Sequence, residues 1–342
     1  MGGYMNRYLA IFWLIAAGIV QGAFPLPMKY TRRWAFEHLW FWYSLVAFFV
    51  LPVLMAVATV PSLGTVLHAA TGRTLLAIVG FGVTWGFGSV LFGLGIDALG
   101  MTLGFPIMTG LTTALGALIP MAILTPGLLL ARNGVLTIAG NVVTIGGVVV
   151  SARAGEQRDR QLGRKETESI LGPRRTFATA LTICIASGVL SAMFNFGYAF
   201  GTPLTQTATE FGATADNATN AVWLVMLPAG GIINLVYCIY LAKRNGSTKT
   251  FFRGAARDWG SAVSMAAMWT GSVVLYGWGA NGLGKLGATV GWSLWNAILI
   301  TTTVLCGLAT GEWRGAHGAP LWMLWASVAL LIAGMFILGA GV

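Results

Sequence analysis

Ten apolar runs, each about as long as a helix needs to cross a bilayer, take up most of this chain. A helix rises 1.5 Å per residue, so roughly 20 apolar residues cross a hydrocarbon core about 30 Å thick. The runs fall at 8–27, 38–60, 74–96, 101–124, 134–152, 177–201, 220–242, 261–281, 287–309 and 319–340, with a single long polar connection at 153–176. Only 9% of the 342 residues are charged. Soluble domains carry roughly 25%. So few charges cannot clothe a chain of this size in water, and lipid must be the solvent around most of it. The expected fold class is an all-α polytopic membrane protein of ten transmembrane helices.

The positive residues set a direction. Loops 1–2, 5–6, 7–8 and 9–10 carry 16 Lys and Arg, whereas Arg7, Arg73, Arg132 and Lys285 are the 4 on the other side. Such a bias marks the cytoplasmic face. Both termini are thus expected to face the periplasm or exterior, with the basic linker 153–176 in the cytoplasm. A net charge of +10 would point to nucleic acid in a soluble protein; here it is accounted for by orientation, and no nucleic-acid partner is expected. The linker mixes Glu156, Asp159, Glu166 and Glu168 with its cations, as a solvated connection does. The first run imitates a signal peptide, but the basic segment Lys29, Arg32, Arg33 and nine further spans make it an uncleaved first helix. Cys184, Cys238 and Cys306 lie in apolar runs without metal-ligand spacing and read as small hydrophobes.

The two halves resemble each other. Aligned without a gap, 85–100 and 269–284 share Trp85/Trp269, Val90/Val274, Leu91/Leu275, Gly93/Gly277, Gly95/Gly279, Leu99/Leu283 and Gly100/Gly284, with Phe92/Tyr276 and Asp97/Asn281 close. Pro25-Leu26 and Pro203-Leu204 echo each other more weakly. Five spans per half is an odd number, so equivalent helices run in opposite directions. The expected architecture is therefore two inverted five-helix repeats, 1–152 and 177–342, with substrate near the midplane. Trp85 precedes Asp97 by about 18 Å of helix; with Asp97 at the interface, Trp85 and Trp269 both lie near the midplane. They either stack on the apolar C–H face of a sugar or fill gaps beside glycine-rich helices.

Four stretches and one short run carry a family resemblance: WGFGSVLFGLGIDALGMTLG at 85–104, GGIINLVYCIYLAK at 230–243, Met268-Trp269 with YGWG ending at 279, VLCGLATGEW at 304–313, and Arg32-Arg33-Trp34-Ala35-Phe36-Glu37. In order and over essentially the whole chain, these are similar to the L-rhamnose/proton symporter family. The resemblance implies the ten-helix fold of the drug/metabolite transporter superfamily in a bacterial inner membrane. It also implies uptake of a 6-deoxyhexose driven by the proton gradient, with no cofactor. Where family members carry amides, this chain has Ser89 and Leu91, which admits L-fucose beside L-rhamnose as substrate. The partners expected are a small neutral sugar, H+ and the lipid bilayer, in a monomer or weak homo-oligomer.

A neutral sugar needs hydrogen-bonding groups and an aromatic platform in an apolar cavity. The intramembrane candidates are Gln21, Trp85, Ser89, Thr109, Asn195, Tyr198, Trp269, Tyr276, Trp292 and Asn296. Each has a structural alternative: Thr112 and Thr113 bond to backbone, Asn234 pins helix packing, Trp278 anchors an interface. Proton coupling needs a titratable group. The acids nearest to a span are Glu37 and Asp97; the alternative for Glu37 is a salt bridge to Arg32 or Arg33 or a helix-terminal charge. His38, His68 and His317 read as surface residues. No Walker A sequence, nucleophilic triad or metal-ligand set is present, so neither an enzyme nor a metal site is expected. Two rivals remain beside the symporter: an exporter or exchanger of the same fold, and a non-transporting membrane sensor.

Overall fold

The computed structural model describes residues 6–163 and 177–341, the side chains of 96–106 and 177 excepted. Asp97's side chain and the linker from Arg164 to Thr176 therefore lie outside the described residues. The described residues form twelve α-helices: α1 (Arg7–Ala23), α2 (Phe36–Leu45), α3 (Leu51–Thr59), α4 (Leu63–Ala69), α5 (Gly72–Leu124), α6 (Arg132–Gln161), α7 (Phe177–Phe200), α8 (Thr202–Glu210), α9 (Asn220–Arg244), α10 (Ala256–Gly282), α11 (Trp292–Ala309) and α12 (Ala319–Gly339). Helix is the expected answer in lipid, because every backbone N–H and C=O must be satisfied within its own segment.

Among the described residues nine segments are long and apolar enough to cross a membrane. The segment expected as the eighth span is present as α10, 27 residues long, but is not one of the nine. Its sequence is diluted by Ser, Thr, Gly, Trp and Tyr, and Ser261, Thr270, Ser272 and Tyr276 are buried. A helix wrapped by other helices meets little lipid and does not need an apolar exterior. The expected break near 97–100 is likewise not a break in the helix. The α5 backbone is continuous and carries two apolar stretches, Gly72–Gly95 and Ile107–Leu124. Glycines there do not end it, since one Gly in a helix interior costs only about 1 kcal/mol.

The chain forms two compact units. The first comprises Met1–Phe87 and Met193–Gly282, the second Gly88–Ala192 and Leu283–Val342, so each draws on both halves of the sequence. In the second unit, α6 and α12 meet along a seam of small residues. A Cβ on Gly140 would meet Leu338 Cγ at 2.6 Å, and one on Gly147 would meet Leu331 Cγ at 3.0 Å. Glycine at such positions lets helix axes approach where apolar surface alone offers no drive in lipid.

In the first unit, one end is tied by loop-to-helix hydrogen bonds. Asp258, in the first turn of α10, accepts from the backbone N–H of Ala255 (2.7 Å), as the acidic half of a capping box does. The same carboxylate accepts from the N–H of Arg32 (2.7 Å) and of Arg33 (3.3 Å), 226 and 225 residues away. Nearby, Trp34 Nε1 donates to Thr250 O and Trp42 Nε1 to Phe251 O. His38 is buried, not a surface residue, with Nε2 2.9 Å from Ser247 O. It sits under the 248–252 turn, edge-on to Phe251, a placement that needs long-range packing to see.

Burial opposes ionisation of Asp258, but the N–H groups of Arg32, Ala255 and Arg33 and the Arg33 charge outweigh it and hold its pKa below the ordinary aspartate value. The folded-state pKa is depressed, so this contribution to stability is complete above the unfolded value near 3.9 and is lost as pH falls through the folded value. Melting temperature in detergent should thus be insensitive to this group between pH 5 and 7. Asp258→Ala should cost about 2 kcal/mol or more at neutral pH, because it strips charge-assisted hydrogen bonds from the N–H groups of Arg32, Arg33 and Ala255. An unchanged melting curve for this variant would contradict the anchor.

Candidate functional site

The aromatic residues of the first unit converge. Trp85 on α5 and Trp269 on α10, the equivalent positions of the sequence repeat, stack on each other with ring centroids 5.7 Å apart and planes at 27°. They are 9% and 7% exposed, which places both inside the unit. Phe48 stands edge-on to both, at 5.3 and 4.8 Å. Phe194 does the same from α7, at 5.3 Å from Trp85 and 6.0 Å from Trp269, while stacking on Trp223 at 5.3 Å and 15°. Offset-stacked and edge-to-face pairs at these separations are the arrangements that the ring quadrupoles favour.

Local sequence explains how these rings are presented. Phe48 lies in a π-helical turn, Val46–Val50, between α2 and α3. One wide turn there shifts the helix face and aims Phe48 inward; such turns recur at functional sites. On α9, Gly230 has no Cβ where one would meet Trp85 Cε3 at 2.5 Å. The reciprocal vacancy on α5 is Gly86, whose Cβ would strike Gly230 O at 2.5 Å. The pair lets two helix backbones touch and gives the Trp85 indole its seat.

Polar groups are buried in the same unit. Tyr276 Oη donates to Asn195 Oδ1 at 2.6 Å, both residues fully buried. Three residues on, Tyr198 Oη donates to Asn281 Oδ1 at 3.0 Å, and Asn281 Nδ2 in turn donates to Ala215 O and Thr219 Oγ1. Thus α7 and α10 exchange one Tyr–Asn bond in each direction. Gln21 is 7% exposed, and its Oε1 is buried without a hydrogen-bond partner, as is the Nε1 donor of Trp223. An unpaired buried acceptor and donor each cost about 1–3 kcal/mol, which a ligand hydroxyl would recover.

Six predicted site residues therefore belong to the first unit: Gln21, Trp85, Asn195, Tyr198, Trp269 and Tyr276. Trp85 meets Trp269, and Asn195 meets Tyr276. Ser89, Thr109, Trp292 and Asn296 belong to the second. There Trp292 Nε1 donates to Thr112 O (3.3 Å), and Thr112 Oγ1 donates to Gly188 O (3.1 Å). Thr109 O accepts from Thr113 Oγ1, and Asn296 Nδ2 bonds back to Trp292 O on its own helix. Asn234 has the structural role considered for it, accepting from Trp40 Nε1 (3.1 Å) and donating to Gly230 O (3.2 Å). Phe48, Phe194, Trp223 and Asn281 were not singled out by sequence. Of these only Asn281 carried a signal, its alignment with Asp97.

Glu37 is 5% exposed at the start of α2. Its Oε1 accepts from Ser247 Oγ at 2.9 Å and Asn245 Nδ2 at 3.1 Å. The partners are neutral loop groups and not the Arg32 or Arg33 considered from sequence. The described residues contain no group of three or more His, Cys, Asp or Glu placed to hold a metal.

A family model described as L-rhamnose-proton symport protein (RhaT) matches residues 5–342. Curated relatives named L-rhamnose-proton symporter include one from Cronobacter sakazakii, 28% identical over 341 residues and 97% of each chain. Another from Klebsiella pneumoniae is 27% identical, and one from Escherichia coli 26%, each over 343 residues and 97% of both chains. The match spans residues 5–342, nearly the whole chain, and this multi-pass membrane protein belongs to the L-rhamnose-proton symport protein family.

Proposed function

We propose that this protein takes up L-rhamnose, with L-fucose the next candidate, by proton symport across a bacterial inner membrane. The observation that carries this reading is the family match over residues 5–342. The site adds chemical support. The aromatic cluster of the first unit has no charged member, and its polar atoms are amides, phenols and an indole N–H, as a neutral polyol requires. Proton coupling separates this reading from a passive sugar carrier, an exporter and a sensor.

In this proposal the ten-helix, inverted-repeat plan of the drug/metabolite transporter superfamily holds, with α10 as the tenth crossing. Both termini are external, and sugar reaches the site by alternating access. Trp85 and Trp269 part to admit the C–H face of the sugar between or beside them. Gln21 and the Tyr276–Asn195 pair exchange hydrogen bonds with its hydroxyls. Within the second unit, Ser89, Thr109, Trp292 and Asn296 are the candidate sugar-binding residues. Glu37 is the proton-carrying group, an acid buried at the start of the Phe36–Thr59 span.

Proteoliposomes loaded by an imposed inward proton gradient should accumulate radiolabelled L-rhamnose, saturably and above the level reached without the gradient. Saturable flux indifferent to the gradient would remove symport and leave a sugar carrier. Glu37→Gln keeps an oxygen that accepts from Ser247 and Asn245 but cannot titrate. It should therefore preserve folding and sugar exchange while abolishing gradient-driven accumulation; wild-type accumulation would exclude Glu37.

For the aromatic pair, Trp85→Ala and Trp269→Ala should each abolish uptake, at a stability cost of about 3–5 kcal/mol. The Phe variants keep the packing and a smaller π face, and should weaken apparent affinity by up to about tenfold. Near-normal apparent affinity in all four would refute stacking.

A further inference from the structure

A groove of about 650 Å³ lies in the first unit between the turn Leu26–Tyr30 and α10, apart from the aromatic cluster. Arg257, Ser261, Ser264 and Met268 line it at spacings of four, three and four, which is one face of a helix. That stripe changes in character along its roughly 16 Å: a cation first, then two hydroxyls, then a thioether. Leu26 and Pro27 form the facing wall, and Tyr30 stands at the mouth beside Arg257, 62% exposed. The hydroxyls are engaged inward, Ser261 Oγ donating to Pro27 O and Ser264 Oγ to Ser261 O. Arg257 and Tyr30 are thus the groups left to face an occupant.

Charge fixes the sign of that occupant. Segments 29–33 and 243–257 together expose eight cations and no acid. The neighbouring acids, Glu37 and Asp258, are buried and bonded to loop N–H, hydroxyl and amide groups. A cationic rim above an apolar slot, in a chain surrounded by lipid, matches an anionic amphiphile lying parallel to the helix.

We propose that this groove binds an anionic phospholipid. Its phosphodiester is held by the Arg257 guanidinium and the Tyr30 hydroxyl, and an acyl chain lies along Met268 and Leu26. The site would make the first unit's stability depend on the anionic lipid of the leaflet. The inference is independent of the sugar and of proton coupling.

Gly260 supplies a clean test, because it lines the groove and a Cβ added there meets nothing within 4 Å. Gly260→Trp therefore starts its side chain in open space and projects an indole into the slot. The measurement is native mass spectrometry and thermal melting of the purified protein in neutral detergent. The probes are phosphatidylglycerol, phosphatidylcholine of identical chains, and soluble glycerol phosphate. Phosphatidylglycerol alone should bind and raise the melting temperature. Arg257→Gln should weaken that binding by about fivefold, and Gly260→Trp should abolish it, both with wild-type melting in phosphatidylcholine. Lys249→Gln, an exposed cation outside the groove, should keep it. Equal loss in Lys249→Gln would overturn the site in favour of diffuse attraction. An equal shift from glycerol phosphate would overturn it in favour of a plain phosphate site. Undiminished phosphatidylglycerol binding in both groove variants would overturn it outright.

Discussion

The contact on which the first unit turns is the one between Trp85 and Gly230. A side chain of any size at 230 would meet the indole at 2.5 Å, and the backbones of α5 and α9 could not touch through Gly86. With the indole seated there, Trp269 can lie flat against it, and Phe48 and Phe194 close the edges. Large-to-small exchange in such a cluster forfeits both transfer energy and packing. Small-to-large exchange at Gly230 has the opposite defect and the same result, because a close-packed interior does not yield by a whole methyl group. Apolar burial does not hold helices together in lipid, so shape complementarity of this kind carries much of the association energy.

Polarity follows a matching division. The formal charges of the first unit gather at helix ends and loops, where Asp258 and Glu37 bind the 31–37 segment to residues 245–258. Between those ends the polar groups are neutral and mostly paired, as the Tyr–Asn exchange between α7 and α10 illustrates. Exceptions among the described residues include Gln21 Oε1, Ser44 Oγ, Trp223 Nε1 and Trp278 Nε1, and buried atoms of this kind are what a binding site leaves open. The aromatic cluster itself contains no charged residue.

The sequence made some of this legible and not the rest, for physical reasons. Membrane residence follows from charge scarcity alone, and helix positions follow from the length of the apolar runs. Alignment of Trp85 with Trp269 picked out two residues that prove to be in contact. The partners Phe48, Phe194 and Trp223 stayed hidden, since helical periodicity gives a face but not a neighbour, and the π turn that aims Phe48 leaves no compositional mark. α10 is not among the nine segments long and apolar enough to cross a membrane, and it buries Ser261, Thr270 and Ser272 against its neighbours. Likewise, Asp258, His38 and Glu37 find partners more than 200 residues away. Proximity of that kind is a property of the fold, and no local pattern announces it.

The central claim is that sugar meets this protein at the Trp85–Trp269 cluster. Photolabelling with a diazirine derivative of L-rhamnose, competed by excess L-rhamnose and mapped by peptide mass spectrometry, addresses it most directly. The account predicts competable label on the α5 segment 72–87 and on α10. Competable label confined to α11 and α12 would contradict it.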